Sequence, residues 1–307
     1  MLLLGNFNQG EKVSVNIIDG KLMSAEIRSE IGKSTAQFVL AHQIRPGLAA
    51  VLVGDDPASA VYVRNKRLAC DEAGMFSETF TLPHDTPEEE VIQLVKDLNM
   101  DSRFHGILVQ LPLPKHVDER KVILTIDPNK DVDGMHPFNS GLLLEGNPRF
   151  LPATPAGVQQ MLMRSGNDPE GKHTVILGRS NIVGKPLACL LLQKAIGANS
   201  TVTVCHTGTK NMTEFTLQAD IVIAAIGRPL ALTADMVKNG AVVIDVGINR
   251  IEDSSRKTGY RLVGDVDYEN VIHKASAITP VPGGVGPMTI AMLLDNTLKA
   301  AKYMTVD

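Results

Sequence analysis

Apolar runs alternate with amphipathic stretches along most of this chain, in one repeated rhythm. Leu48 to Val53 is a continuous apolar run closed by Gly54-Asp55-Asp56-Pro57, the pattern of a strand buried on both faces. Before it, Leu22, Ile27, Ile31, Phe38 and Val39 recur at helical spacing over 21–43 and stop at Arg45-Pro46-Gly47. After it, Asp56-Pro57 opens a helix that ends at Gly74. A strand follows from Phe76 to Leu82, a helix opens at Thr86-Pro87-Glu88-Glu89, and a third strand, Gly106 to Leu111, is broken by Pro112 and Pro114. Strand–helix–strand–helix–strand predicts a parallel α/β unit with right-handed crossovers.

Thr154-Pro155-Ala156-Gly157 opens another helix, and the turn-rich stretch 166–172 leads into a second pattern of the same kind. Its strands are predicted at Thr174–Leu177, Val202–Val204, Ile221–Ala225 and Val242–Val246, with a weaker one at Leu262-Val263. A helix runs through Leu187–Gln193, the charged residues 250–259 read as an exposed loop, and an apolar helix through Met288–Leu298 closes the chain. The expected architecture is α/β in two domains with a cleft between them. Residues 13–150 form a three-layer α/β domain, residues 151–286 a Rossmann-like domain, and a C-terminal helix, 287–303, packs back on the first.

Composition narrows the function classes. The 307 residues are 44% hydrophobic and 21% charged, enough for a sizeable buried core. A formal charge of −4, with four tyrosines, eight phenylalanines and no tryptophan, argues against nucleic acid or a membrane surface as partner. Cys70, Cys189 and Cys205 are far apart, and the eight histidines are scattered. Neither a disulfide framework nor a metal site is expected. No apolar run approaches the roughly 18 residues of a membrane span. The expectation is a soluble cytoplasmic protein with a frayed N-terminal extension of about ten residues.

Candidate chemistry begins in the second predicted helix. Tyr62 and Lys66 are four apart and leave one face, among Ser59, Ala69, Cys70 and Ala73. Arg64, Arg67 and Asp71 lie on another face. A lysine and a tyrosine on a face of small residues leave room for a ligand; an amphipathic helix whose lysine snorkels past its rim accounts for the same spacing. Ligands of open parallel sheets bind beyond the carboxyl ends of the strands. Gln110 closes the third strand at such an end, either as a buried side chain that needs hydrogen-bond partners or as a polar strand end facing solvent. Lys130-Asp131-Val132-Asp133-Gly134 follows as a turn or as a carboxylate aimed into the cleft.

In the second pattern, Gly178-Arg179-Ser180-Asn181-Ile182-Val183-Gly184 links a strand to a helix, the context in which backbone N–H groups cradle a phosphate. The next strand ends in Cys205-His206-Thr207 with no acid for a ribose 2′-hydroxyl. With Arg179 near by, this favours NADP over NAD, unless Arg179 is simply an exposed loop arginine. Thr279-Pro280-Val281-Pro282-Gly283-Gly284-Val285-Gly286-Pro287 is a rigid loop of little side-chain bulk, able to bring backbone close to a ligand or simply to join domains.

Taken together, the motifs Tyr62-Val-Arg-Asn-Lys66, Gly106-Ile-Leu-Val-Gln110-Leu-Pro-Leu-Pro114, Lys130-Asp-Val-Asp133-Gly-Met-His-Pro137, Gly178-Arg-Ser-Asn-Ile-Val-Gly184 and Pro280-Val-Pro-Gly-Gly-Val-Gly-Pro-Met-Thr289 resemble the bifunctional methylenetetrahydrofolate dehydrogenase (NADP+)/methenyltetrahydrofolate cyclohydrolase family. The resemblance extends from Ile18-Asp19-Gly20-Lys21 to the last helix. Met135, the long N-terminal tail and extra residues at Lys194–Ser200 depart from the family pattern.

The resemblance implies oxidation of 5,10-methylenetetrahydrofolate by NADP, then hydrolysis to 10-formyltetrahydrofolate, serving purine, methionine and histidine synthesis. By similarity Lys66 is the general acid/base, Gln110 tunes it, Tyr62 stacks on the aminobenzoyl ring and Asp133 holds the pterin. Ser59, Pro282, Gly283 and Gly284 line the folate site, and Gly178, Arg179, Ser180, Gly184, His206, Thr207 and Ile248 bind NADP. A homodimer is implied as well. The alternatives are a shikimate-dehydrogenase-like NADP oxidoreductase, which fits the Tyr62–Lys66 spacing and Gln110-Leu-Pro-Leu-Pro poorly, and a catalytically silent NADP- or folate-binding regulator.

Overall fold

A computed structural model describes residues 15–256 and 259–306. The N-terminal extension expected from the sequence lies outside the described residues. The described chain begins with β1 (Asn16–Ile17) and α1 (Gly20–His42), then β2 (Gly47–Val53), α2 (Pro57–Glu72), β3 (Phe76–Leu82), α3 (Glu88–Met100) and β4 (Gly106–Val109). Three helices follow, α4 (Glu119–Thr125), α5 (Pro137–Glu145) and α6 (Ala153–Arg164). The second half runs β5 (His173–Leu177), α7 (Gly184–Leu191), β6 (Thr201–Cys205), α8 (Met212–Thr216), β7 (Ile221–Ala224) and β8 (Val242–Asp245). It ends with β9 (Asn249–Glu252), β10 (Tyr260–Val263), α9 (Tyr268–Val271), β11 (Ala277–Ile278) and α10 (Val285–Val306).

Two parallel sheets organise these elements. The first has the order β3-β2-β4, with every residue of central β2 buried. Because side chains alternate along a strand, Leu48, Ala50 and Leu52 join one core with Ile27, Ile31 and Met292, while Ala49, Val51 and Val53 join another with Val91, Val95 and Leu98. That is why β2 reads as unbroken apolar sequence. The second sheet has the order β1-β11-β8-β7-β5-β6, and its strands alternate in the same way. Ile176, Ile223 and Ile244 continue the first core, while Val175, Val222 and Val243 face a separate one. One core thus runs from α1 through α10 and α6 into the second sheet.

Three expectations need correction. β1, assigned by the sequence to the first domain, pairs with β11 and extends the second sheet. Within the charged stretch 250–259, Asn249–Glu252 forms β9, paired antiparallel with β10. The strand stands away from the main sheets, so charged side chains cost nothing on its solvent face and hide the alternation. The closing helix begins at Val285, earlier than Met288. Pro287 falls in its first turn, where no N–H is needed, and continues the helix it was expected to precede.

Candidate active site

The site is assembled at strand ends. Asp56 caps α2, its carboxylate accepting from the Ser59 amide at 2.7 Å, and Pro57 supplies the first helical φ. The helix then carries Tyr62 and Lys66 along the face beneath which β4 ends. Lys66 is only 8% exposed, so the helix buries its amine and does not let it snorkel to solvent. Its Nζ donates to Gln110 Oε1 at 3.0 Å. Gln110 lies just past β4, its backbone N–H still bonded to Val51 O at 2.9 Å. Its side-chain Nε2 donates to Leu111 O at 2.8 Å, which turns Oε1 toward the lysine.

Asp133 reaches the same place from the loop before α5. The neighbouring Asp131 shapes that loop: its carboxylate accepts from the amides of Met135 and His136 and from Asn139 Nδ2, between 2.8 and 3.1 Å. His136 caps α5 through Nδ1, a structural task. Among the described residues, no donor is bonded to Asp133's carboxyl, which lines a cavity of about 310 Å³ with Tyr62, Lys66 and Gln110. Burial lowers the pKa of Lys66, with opposing pulls from Asp133 and Cys70. Burial raises that of Asp133, opposed by Lys66 and reinforced by Asp131. Each group is thereby pushed toward its neutral form, as expected where protons are exchanged. Cys70, on the lysine's helix face, is pushed up to about 12 by burial and stays a thiol at neutral pH.

A larger cavity of about 810 Å³ adjoins the first, sharing Tyr62, Val246, Ile248, Val285, Gly286 and Ile290. Pro282, Gly283 and Gly284 line it, and so do Lys21, Arg250 and Arg28, the last ion-paired with Glu72 at 3.6 Å. The glycine loop is held against α1 by Lys21 N–H bonded to Gly283 O at 3.1 Å, and a Cβ on Gly20 would collide with Gly284 O. Tyr62, 37% exposed, presents its ring where the two cavities meet.

A third cavity, about 280 Å³, lies at the carboxyl ends of β5, β6 and β7. β5 pairs with β6 on one side and β7 on the other, so the crevice sits where the connections diverge. Gly178, at φ +128°, is required there because a Cβ would strike Ala225 O. Arg179, Ser180, His206 and Thr207 line the crevice, and among the described residues no carboxylate does. Ser180 Oγ accepts from Val183 N–H at 3.1 Å, shaping the turn into α7. A bare glycine cradle with two hydroxyls and arginine suits a dinucleotide bearing an extra phosphate.

Some expected residues sit elsewhere. Ile248 lines the cleft cavities, away from the crevice at β5. Gly184 is a packing position, where a Cβ would strike Gly178 O. Ser59 is buried in the first turn of α2 and lines none of these three cavities. Sequence reasoning passed over Arg228, which lines the crevice beside Arg179. Its context, glycine then arginine directly after a strand, was the available signal. Thr154 and Thr289, bonded through their hydroxyls at 3.1 Å in the Lys66 cavity, had none, being far apart in the chain.

Comparison with known proteins gives a consistent result. The model for the tetrahydrofolate dehydrogenase/cyclohydrolase catalytic domain matches residues 18–133, and that for its NAD(P)-binding domain matches residues 152–305. The chain is 57% identical over 288 residues to the bifunctional protein FolD of Chlorobium phaeobacteroides, covering 93% of this chain and 98% of that one. It is similar in structure to the bifunctional enzyme FolD, methylenetetrahydrofolate dehydrogenase/cyclohydrolase, of Campylobacter jejuni, with a TM-score of 0.88 and 48% identity over 94% of this chain and 99% of that one. The Trypanosoma brucei N5,N10-methylenetetrahydrofolate dehydrogenase-cyclohydrolase, solved with NADP cofactor and an inhibitor, gives 0.89 and 39% identity over 94% and 98%.

Proposed function

The chain belongs to the tetrahydrofolate dehydrogenase/cyclohydrolase family, and from that premise we propose how one cleft divides the family's two reactions among its residues. The protein is a bifunctional methylenetetrahydrofolate dehydrogenase and methenyltetrahydrofolate cyclohydrolase that uses NADP. In the residue assignment proposed here, Asp133 accepts hydrogen bonds from the pterin ring, Tyr62 stacks on the aminobenzoyl ring, and Pro282, Gly283 and Gly284 line the remainder of the folate path. Gly178, Arg179, Ser180, His206, Thr207 and Arg228 hold the dinucleotide, and Ile248 borders its reactive end. Bound NADP supplies the hydride acceptor for the oxidation. For that step the chain supplies alignment and a water-poor cleft, since the folate nitrogens provide the electrons.

Hydrolysis needs a proton acceptor. A free lysine is protonated at neutral pH and is a poor base, but desolvation and a cationic methenyl substrate both favour the neutral amine. Lys66 takes a proton from the water that adds to the methenyl carbon. It returns that proton to the ring nitrogen as the carbon–nitrogen bond opens, while the hydroxyl of the adduct loses its own proton to solvent and becomes the carbonyl of the formyl group left on the other nitrogen. Gln110 orients the amine through a hydrogen bond without adding negative charge. The buried Lys66–Gln110 contact beside Asp133 is the observation that carries this reading. It also disfavours the silent regulator, which has no use for a desolvated lysine.

Lys66→Met is the test. Cyclohydrolase activity should fall by about a thousandfold, the scale of general acid–base catalysis, while part of the dehydrogenase activity remains. Equal loss of both would defeat the assignment.

The same reading takes residues 18–150 with the closing helix α10 as the folate half, and residues 151–284 together with β1 as the cofactor half. It makes the enzyme cytoplasmic and a source of one-carbon units for purine, methionine and histidine synthesis. A homodimer would form through the cofactor half, where β6 is the last strand in the sheet order among the described residues and Val204 is exposed; light scattering gives the mass directly.

A further inference from the structure

Two carboxyl groups that the reactions do not use are buried side by side between the crevice and the cleft. Asp245, the last residue of β8, is 3% exposed, and Asp265 is 0% exposed. Among the described residues neither is paired with a cation. Backbone groups surround them instead. Asp265 Oδ2 accepts from the amides of Ile226 and Gly227 at 2.6 and 2.8 Å, and its Oδ1 accepts from Asn249 Nδ2 at 2.8 Å. Asp245 accepts from the amides of Gly247 at 3.0 Å, Asp265 at 2.9 Å and Val266 at 3.0 Å. Its own N–H donates to Thr279 Oγ1 at 2.7 Å. The fit is close: a Cβ on Gly247 would run into Asp265, and one on Gly264 into Asp245.

The loops joined in this way are the ones that matter to the dinucleotide. Ile226 and Arg228, after β7, line the crevice. Val246 and Ile248, after β8, line the cavity that holds Lys66. Thr279 leads into the glycine loop of the larger cavity. Burying two adjacent carboxyls is costly, and an apolar plug could occupy the same volume. What an apolar plug lacks is acceptors. A carboxylate can take several N–H groups arriving from different loops at once.

We propose that Asp265, fixed in place by Asp245, is a positioning residue for the dehydrogenase step. It clamps the crevice loop at Ile226–Gly227 to the cleft loop at Gly247–Asn249, so that the two ends of the bound dinucleotide keep one relative geometry. The proposal rests on the dehydrogenase/cyclohydrolase reading above, and the test separates the two. It uses Asp265→Ala, which removes all three contacts, and Asn249→Ala, which removes one and leaves the carboxyl pair buried.

NADP affinity is measured by titration calorimetry on enzyme without folate, and cyclohydrolase turnover is measured without NADP. Asp265→Ala should weaken NADP by about tenfold or more, because the crevice loop it holds through the Ile226 and Gly227 amides is released. Asn249→Ala should weaken it by a few-fold. Both should keep cyclohydrolase turnover within about threefold and show an enlarged deuterium isotope effect for substrate labelled at the methylene carbon, as hydride alignment degrades. NADP affinity unchanged in Asn249→Ala, or cyclohydrolase falling in step with dehydrogenase, would overturn the proposal even if Asp265→Ala fails to fold. Wild-type enzyme without NADP-dependent dehydrogenase activity would instead defeat the underlying reading.

Discussion

At the scale of single residues, the cyclohydrolase assignment turns on the proton affinity of one amine. Burial holds Lys66 below its ordinary value, while Asp133 pulls the other way. With the neutral amine as the proposed base, hydrolysis should rise with pH until Lys66 is deprotonated, and the lowered pKa brings that rise to lower pH. Gln110→Glu places a carboxylate within hydrogen-bond reach of Nζ, where the wild type has a neutral amide. A negative charge favours the ammonium form, so the rise should move upward by about one unit or more, and turnover at neutral pH should fall about tenfold. The cyclohydrolase kcat profile checks this. An unmoved profile would mean that Lys66 is not the titrating base, and a downward move would contradict the sign. The dehydrogenase step, which transfers no proton, should keep its own profile.

At the scale of elements, the proposed assignment puts the cofactor preference in strand-end loops, not in any helix or strand. Arg179 follows β5 and Arg228 follows β7, and both line a crevice without a carboxylate. Arg179→Ala should raise the KM for NADP by about tenfold, as expected for a lost charged contact to a phosphate, and leave that for NAD nearly unchanged. Parallel steady-state kinetics with the two cofactors read the difference directly, and an unaltered NADP/NAD ratio would count against the phosphate role. Much at this scale was legible in the sequence for a physical reason. β2 is buried on both faces and must be apolar throughout, and the α2 start carries its own cap and proline. β9 was hidden because its exposed face tolerates charge, and the start of α10 because proline in a first turn looks like a breaker. The Asp245–Asp265 clamp was out of reach in another way. Which loops two aspartates join depends on the sheet order that brings β7, β8 and the β10–α9 turn together, and no local spacing encodes that.

At the scale of the whole molecule, the two sheets are tied together by α10, which packs against α1, α2 and α6. The helix also reaches the active-site loop through a polar contact. Asn296 is 2% exposed, and its Nδ2 donates to Val132 O and to Leu151 O, both at 2.8 Å. The first carbonyl belongs to the residue before Asp133, and the second lies on the approach to α6. Asn296→Leu keeps the volume and removes both donors, leaving two buried carbonyls unpaired. The cost should be about 2–4 kcal/mol, which lowers Tm by roughly 5–10 °C in a chain of this size. Because the loop that presents Asp133 loses an anchor, the KM for folate should also rise several-fold while calorimetric NADP affinity is unchanged. A lower Tm with an unchanged folate KM would show that Asp131 and its bonds to Met135, His136 and Asn139 hold the loop alone. A loss of NADP affinity would show that the two halves move together through α10.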